Sequence, residues 1–203
     1  MKKKMNLKTL VATAMLAALG GVLMSMEISV PLMPPFYKLD LSDVPSIIAL
    51  FAFGPLSGAA VEVIKILIKI VTVGTNTAYV GEFANLLGVA IFIIPLWLVY
   101  RGMNNSNRGA KIALLVSVPI RVAFSCIVNA FITLPLYAEA MDISLDAVVQ
   151  TVASVNPAIT NLTTFIVLAT IPFNLLKNTL NCIIAYRLYK RLSQSNVLER
   201  RFI

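Results

Sequence analysis

The stretch Thr163–Leu192, TTFIVLATIPFNLLKNTLNCIIAYRLYKRL, decides the fold. Lys177 lies eighteen residues after Ile159 and ten before the basic residue Arg187. At about 1.5 Å of rise per helical residue it stands roughly 15 Å from Arg187, near the middle of a bilayer. An ammonium facing lipid at that depth costs at least about 3 kcal/mol, so the residue is expected to face the protein interior. Asn174 precedes it by three residues and shares its helix face one turn away. An amide and an ammonium side by side at membrane depth offer acceptor and donor groups to something polar, which reads as a ligand site.

The rest of the chain agrees with a membrane setting. Of 203 residues, 59% are hydrophobic and only 13% charged, and the mean hydropathy is +0.87. Soluble domains carry about 25% charged residues. The longest markedly polar interruption, Glu139 to Asn156, spans eighteen residues, so residues 1–203 read as a single transmembrane domain. The formal charge of +8 does not indicate nucleic acid, because of where the basic residues fall. Lys2, Lys3, Lys4 and Lys8 precede the first apolar run; Arg101, Arg108 and Lys111 share one connection; Arg187, Lys190, Arg191, Arg200 and Arg201 follow the last run. The positive-inside rule places all these on the cytoplasmic side, with both termini inside. Tyr137 to Asn156 holds Glu139, Asp142 and Asp146 and no basic residue, as suits the outer side.

These signals predict an all-α membrane protein of six transmembrane helices, at roughly 7–29, 43–53, 55–73, 83–100, 112–137 and 157–192. The second and third are short for a full crossing of about 20 residues. Lysines followed by an apolar run resemble a secretory signal, but MLAALGGVLMSMEI lacks a small-x-small cleavage site, so a retained first helix is expected. The Pro-rich loop VPLMPPFYKLDLSDVP, with Pro31, Pro34, Pro35 and Pro45, prevents a continuous helix. Ser42 or Asp43 is expected to cap the segment after it. Pro172 predicts a kink in the last helix.

Several chemistries are absent from the sequence. It has no histidine, no GxxxxGK[ST] phosphate loop, no GxSxG and no metal-ligand spacing, so neither an enzyme, a resident cofactor nor ATP binding of the P-loop kind is expected. Cys126 and Cys182 lie in apolar helices and read as small buried hydrophobes. Asn129, about 12 Å below the outer surface if its helix is regular, and Glu82 with Asn85 at the outer start of the fourth helix are placed to join Asn174 and Lys177 around an outward-opening pocket. One acid, one base and several amides suit a neutral, planar, hydrogen-bonding molecule. Glu62, Lys65 and Lys69 share a helix stripe, and a Glu62–Lys65 pair is expected. Arg121 is deep enough to require a carboxylate or carbonyl partner. Ala14 with Ala18, and Ala17 with Gly21, form small-xxx-small pairs that permit close helix approach, within the protein or with a partner.

KLDLSDVPSIIALFAFGPLSGAAVEVIK, GTNTAYVGEFANLLGV, VNAFITLPLY and PFNLLKN occur here in this order. On these blocks the chain resembles the riboflavin-specific S components of energy-coupling factor (ECF) vitamin transporters, from the first helix to Lys190. The resemblance implies the six-helix S-component fold and capture of riboflavin from outside a prokaryotic cell membrane. It implies that Asn174 and Lys177 contact the isoalloxazine ring, that Asn129 and Glu82 join the site, and that the first loop around Asp40 and Leu41 helps cover the ligand. It implies further that Ala14 and Ala18 meet the transmembrane coupling subunit and that two separate ATPase subunits supply the energy. Relatives often carry Asn directly after the lysine of the third helix, where this chain has Ile66. An S component for another vitamin or precursor, or a stand-alone facilitator, are the alternatives.

Overall fold

The computed structural model describes residues 6–194 except 32, 35, 76 and 155. Lys2, Lys3, Lys4, Arg200, Arg201 and Pro35 therefore lie outside the described residues. Among the described residues the architecture is all-helical apart from one small hairpin. Helix α1 covers Leu7–Ser25, capped by the Asn6 side chain, which accepts from the Lys8 amide. It ends four residues short of the expected 29, because Ile28–Ser29 (β1) pairs antiparallel with Lys38–Leu39 (β2). The strand pairing thereby brings the two ends of the Pro-rich loop together.

Helix α2 covers Asp43–Phe53 and α3 covers Pro55–Thr72. Between them Gly54 adopts φ 102°, a left-handed value that favours glycine, and Pro55 sets the first turn of α3. Ser42 takes the N-cap position of α2 but makes no side-chain cap bond, and the Asp43 carboxylate turns inward to cations. Helix α4 covers Val80–Gly102, longer than the expected 83–100 at both ends.

The next helix, α5, covers Asn107–Ala140, with Ser106 as its N-cap, and extends beyond the expected 112–137. It contains a π-helical turn at Asn129–Thr133. The connection after α5 holds a helix absent from the sequence reading, α6 at Leu145–Ala153, capped by Ser144. Helix α7 covers Leu162–Gln194, starting from an Asn161–Thr164 capping box, five residues later than expected. Its π turn, Ile166–Thr170, sits just before Pro172. The π turn of α5 sits likewise before Pro135. In each, the residue ahead of the proline donates to the carbonyl five residues back, a wider turn that accommodates the missing proline N–H.

Among the described residues, four helices, α1, α4, α5 and α7, are long and apolar enough to cross a membrane. α2 has 11 residues, and α3 carries three charged side chains, Glu62, Lys65 and Lys69. Helix α1 packs on α3, α2 on α3, and α4 on α5. Ala17 is fully buried, and a Cβ on Gly21 would stand 2.5 Å from Ile68 of α3, so the Ala17/Gly21 pair serves internal packing. Ala14 and Ala18, on the adjacent face, are exposed.

Two apolar neighbourhoods build the core. One joins α2, α4, α5 and α7 around Phe51, Leu96, Tyr100 and Tyr189, with the Tyr100 and Tyr189 hydroxyls 2.6 Å apart. The other joins the hairpin loop to α5, α6 and α7 through Tyr37, Leu134, Val148, Phe165 and Phe173.

Candidate functional site

A cavity of about 410 Å³ draws its lining from α1, the hairpin, α3, α4, α5 and α7. That lies in the roughly 300–1,000 Å³ range of small-molecule pockets. Asn174, Lys177, Asn129, Glu82, Asn85 and Asp40 all line it, so the polar residues picked out in the sequence converge. Leu41 does not line it; its side chain packs against the α2–α4–α5–α7 core. Ile66 is buried and also absent from the lining.

Along α7, Asn174, Lys177, Asn178 and Asn181 recur at three- and four-residue steps and form one polar stripe. Nδ2 of Asn174 donates to the Thr170 carbonyl at 2.9 Å, which fixes the orientation of the amide at the cavity wall. Nζ of Lys177 donates to Oδ2 of Asp40 at 2.7 Å, with further ammonium protons to spare. Nδ2 of Asn181 donates to the Asp40 carbonyl at 2.9 Å, and the Ser42 amide donates to Oδ1 of Asp40. Asp40 is thus fastened to α7 at two points. Burial alone would push its carboxyl upward; the Lys177 ammonium, through its charge and its hydrogen bond, acts together with Lys65 to hold it below the ordinary carboxylate range.

Tyr37, unmarked in the sequence reading, ties the loop across the cavity. Its phenol donates to Oδ1 of Asn129 at 2.9 Å and lies 2.8 Å from the Thr170 hydroxyl, so it touches both π turns. Its ring stacks on Phe173 at 4.6 Å and 11°. Burial raises the phenol well above its ordinary pKa and keeps it neutral. Asn129 also donates from Nδ2 to the Ser125 carbonyl, so both ends of its amide are engaged. Phe36, Phe124 and Tyr137 complete an aromatic wall, and the buried Thr133 Oγ1, which has no hydrogen-bond partner among the described residues, adds a further polar atom. The aromatic pair in PPFYK was the sequence signal for this wall, but nothing local could say that Tyr37 reaches Asn129, 92 residues away.

Beside the cavity lies a buried ionic cluster. Asp43 accepts from Nζ of Lys65 and, at 2.6 Å, from the Arg121 guanidinium. Lys65 also pairs with Glu62 at 2.8 Å, the expected stripe pair, and Glu62 accepts from the Ser46 hydroxyl. Arg121 finds Asp43 as its partner and lies 4.4 Å over the Phe92 ring. Lys69 pairs with Glu82, which also accepts from the hydroxyls of Thr75 and Thr77. Among the described residues no group of three or more His, Cys, Asp or Glu side chains is placed to hold a metal ion. The arrangement, a polar stripe facing aromatic side chains in a cavity of this size, suits a small molecule with one polar edge and one apolar end.

Comparison with known proteins gives a consistent result. The sequence pattern of the family described as "ECF transporter, substrate-specific component" matches residues 8–189. The chain is 32% identical over 203 residues to the riboflavin transporter RibU of Staphylococcus aureus (strain TCH60), covering 98% of each. It is 32% identical over 176 residues to the riboflavin transporter FmnP of Bacillus subtilis (strain 168), covering 85% of each. A solved structure described as "Structure and mechanism of the S component of a bacterial ECF transporter" superposes with a TM-score of 0.71 at 30% identity, over 95% of this chain and 98% of that one.

Proposed function

This chain belongs to the substrate-specific components of ECF transporters, and we propose that within that family it captures riboflavin from outside a prokaryotic cell membrane. The observation that carries the reading is that the Asn174 amide and the Lys177 ammonium stand one helical turn apart on one wall of an aromatic-lined cavity. A flavin ring offers alternating carbonyl and N–H groups at its uracil-like edge and an apolar dimethylbenzene end. An amide oxygen and an ammonium complement the first, and Phe36, Phe124, Tyr137 and Phe173 suit the second. Asp40 acts with Lys177 by orienting its ammonium, Asn129 by holding the Tyr37 loop over the ligand, and Glu82 by holding Lys69 at the wall.

In this reading α1–α5 and α7 make six crossings, with both termini cytoplasmic. The described basic residues Lys8, Arg101, Arg108, Lys111, Arg187, Lys190 and Arg191 support that orientation. The exposed Ala14/Ala18 face of α1 meets a transmembrane coupling subunit, and two ATPase subunits supply the energy for which this chain has no phosphate loop. Purification in detergent provides the test: a co-purifying yellow chromophore with quenched flavin fluorescence is expected, and no riboflavin binding below micromolar concentration would sink the proposal.

A further inference from the structure

The charges around the cavity cancel. Its lining contains four cations, and each has a carboxylate partner: Lys38 with Glu27, Lys69 with Glu82, Lys177 with Asp40, and Arg121 with Asp43. Lys65, just behind the wall, shares Asp43 with Arg121 and adds Glu62. Five acids face five bases, so among the described residues the cavity has no uncommitted cation. A neutral ligand enters such a site without disturbing it. A phosphate monoester, carrying about −1.5 to −2 at pH 7, would lose water and gain no counter-charge unless an existing pair broke.

The pairs differ in how easily they break. Lys69–Glu82, Lys177–Asp40 and the Asp43 cluster are almost fully buried, and losing one partner strands the other. Lys38–Glu27, 2.5 Å apart across the β1–β2 hairpin, is the least buried, with side chains 23% and 17% exposed. It is the pair nearest to solvent and the one whose cation an incoming phosphate would most easily recruit.

Resting on the riboflavin reading, we propose that Glu27 is a specificity-determining residue: by neutralising Lys38 it closes the charge balance and makes the site select riboflavin over its phosphate ester, flavin mononucleotide. The ammonium freed by removing the Glu27 charge would form a charge-assisted bond to phosphate. Because the pair is partly exposed, the effect is a moderate one, about three- to fivefold.

The test is a pair of fluorescence-quenching titrations of the purified protein, with riboflavin and with flavin mononucleotide. The unaltered protein is expected to bind the phosphate ester at least about tenfold more weakly. Glu27→Gln narrows that gap at least threefold, and adding Lys38→Gln to it restores the gap. Lys38→Gln alone, which frees the Glu27 carboxylate, widens it at least threefold and gives an independent reading should Glu27→Gln fail to fold. Equal affinity for the two flavins in the unaltered protein, or a gap that neither single variant moves, overturns the proposal while leaving riboflavin capture intact. Loss of riboflavin binding by the unaltered protein overturns the reading on which it rests.

Discussion

Asn174 and Lys177 stand one turn apart on α7 but hold different positions in the network. The Asn174 amide is anchored to the Thr170 carbonyl, whereas Lys177 is the counter-charge of a buried aspartate. Asn174→Ala is therefore expected to weaken riboflavin binding by about 1–3 kcal/mol, the cost of one lost buried polar contact. Lys177→Ala should cost at least as much, because it also strands Asp40. Titration of both variants checks this, and unchanged affinity in both would reassign the pair to packing. The pH profile follows from Asp40. Its carboxyl is held below the ordinary value of about 3.9, so its contribution is present above that range and is lost only as pH falls through the depressed value. Binding is expected to be flat from about pH 8 to pH 5, and a fall within that window would show that Asp40 is not held by Lys177.

At the scale of the element, α1 has two faces with opposite duties. Gly21 and Ala17 press on α3, whereas Ala14 and Ala18 are exposed. Gly21→Ala is expected to destabilise the protein by about 1–3 kcal/mol, since the new methyl collides with Ile68. Thermal unfolding in detergent measures it. Ala14→Leu or Ala18→Leu should leave stability and riboflavin binding unchanged yet abolish co-purification with the coupling subunit. Loss of binding in these variants would show that the face is internal. The π turns of α5 and α7 illustrate how local chemistry shapes the site: Pro135 and Pro172 each lack an N–H, a widened turn precedes each, and Tyr37 bonds into both turns.

For the whole molecule, the buried cluster of Asp43, Lys65, Glu62 and Arg121 joins α2, α3 and α5 beside the cavity. Asp43→Asn leaves Lys65 and Arg121 short of a counter-charge and is expected to cost about 3–5 kcal/mol, read as a large fall in unfolding temperature. A neutral outcome would mean that water reaches the cluster. Composition, helical spacing and charge placement were enough to determine an all-helical membrane chain, the polar pair Asn174 and Lys177, and the Glu62–Lys65 pair. These depend on the cost of burying polar groups and on contacts one helical turn apart, both of which are visible along the chain. The partners Asp40 for Lys177, Asp43 for Arg121 and Asn129 for Tyr37 lie 137, 78 and 92 residues away, and only the tertiary structure decided them. The hairpin and α6 were illegible for a related reason: two-residue strands and a nine-residue helix have little signal of their own and are stabilised by the core they cover. A buried charge shows from the sequence that it needs a partner, but which partner it meets is set by how the helices pack.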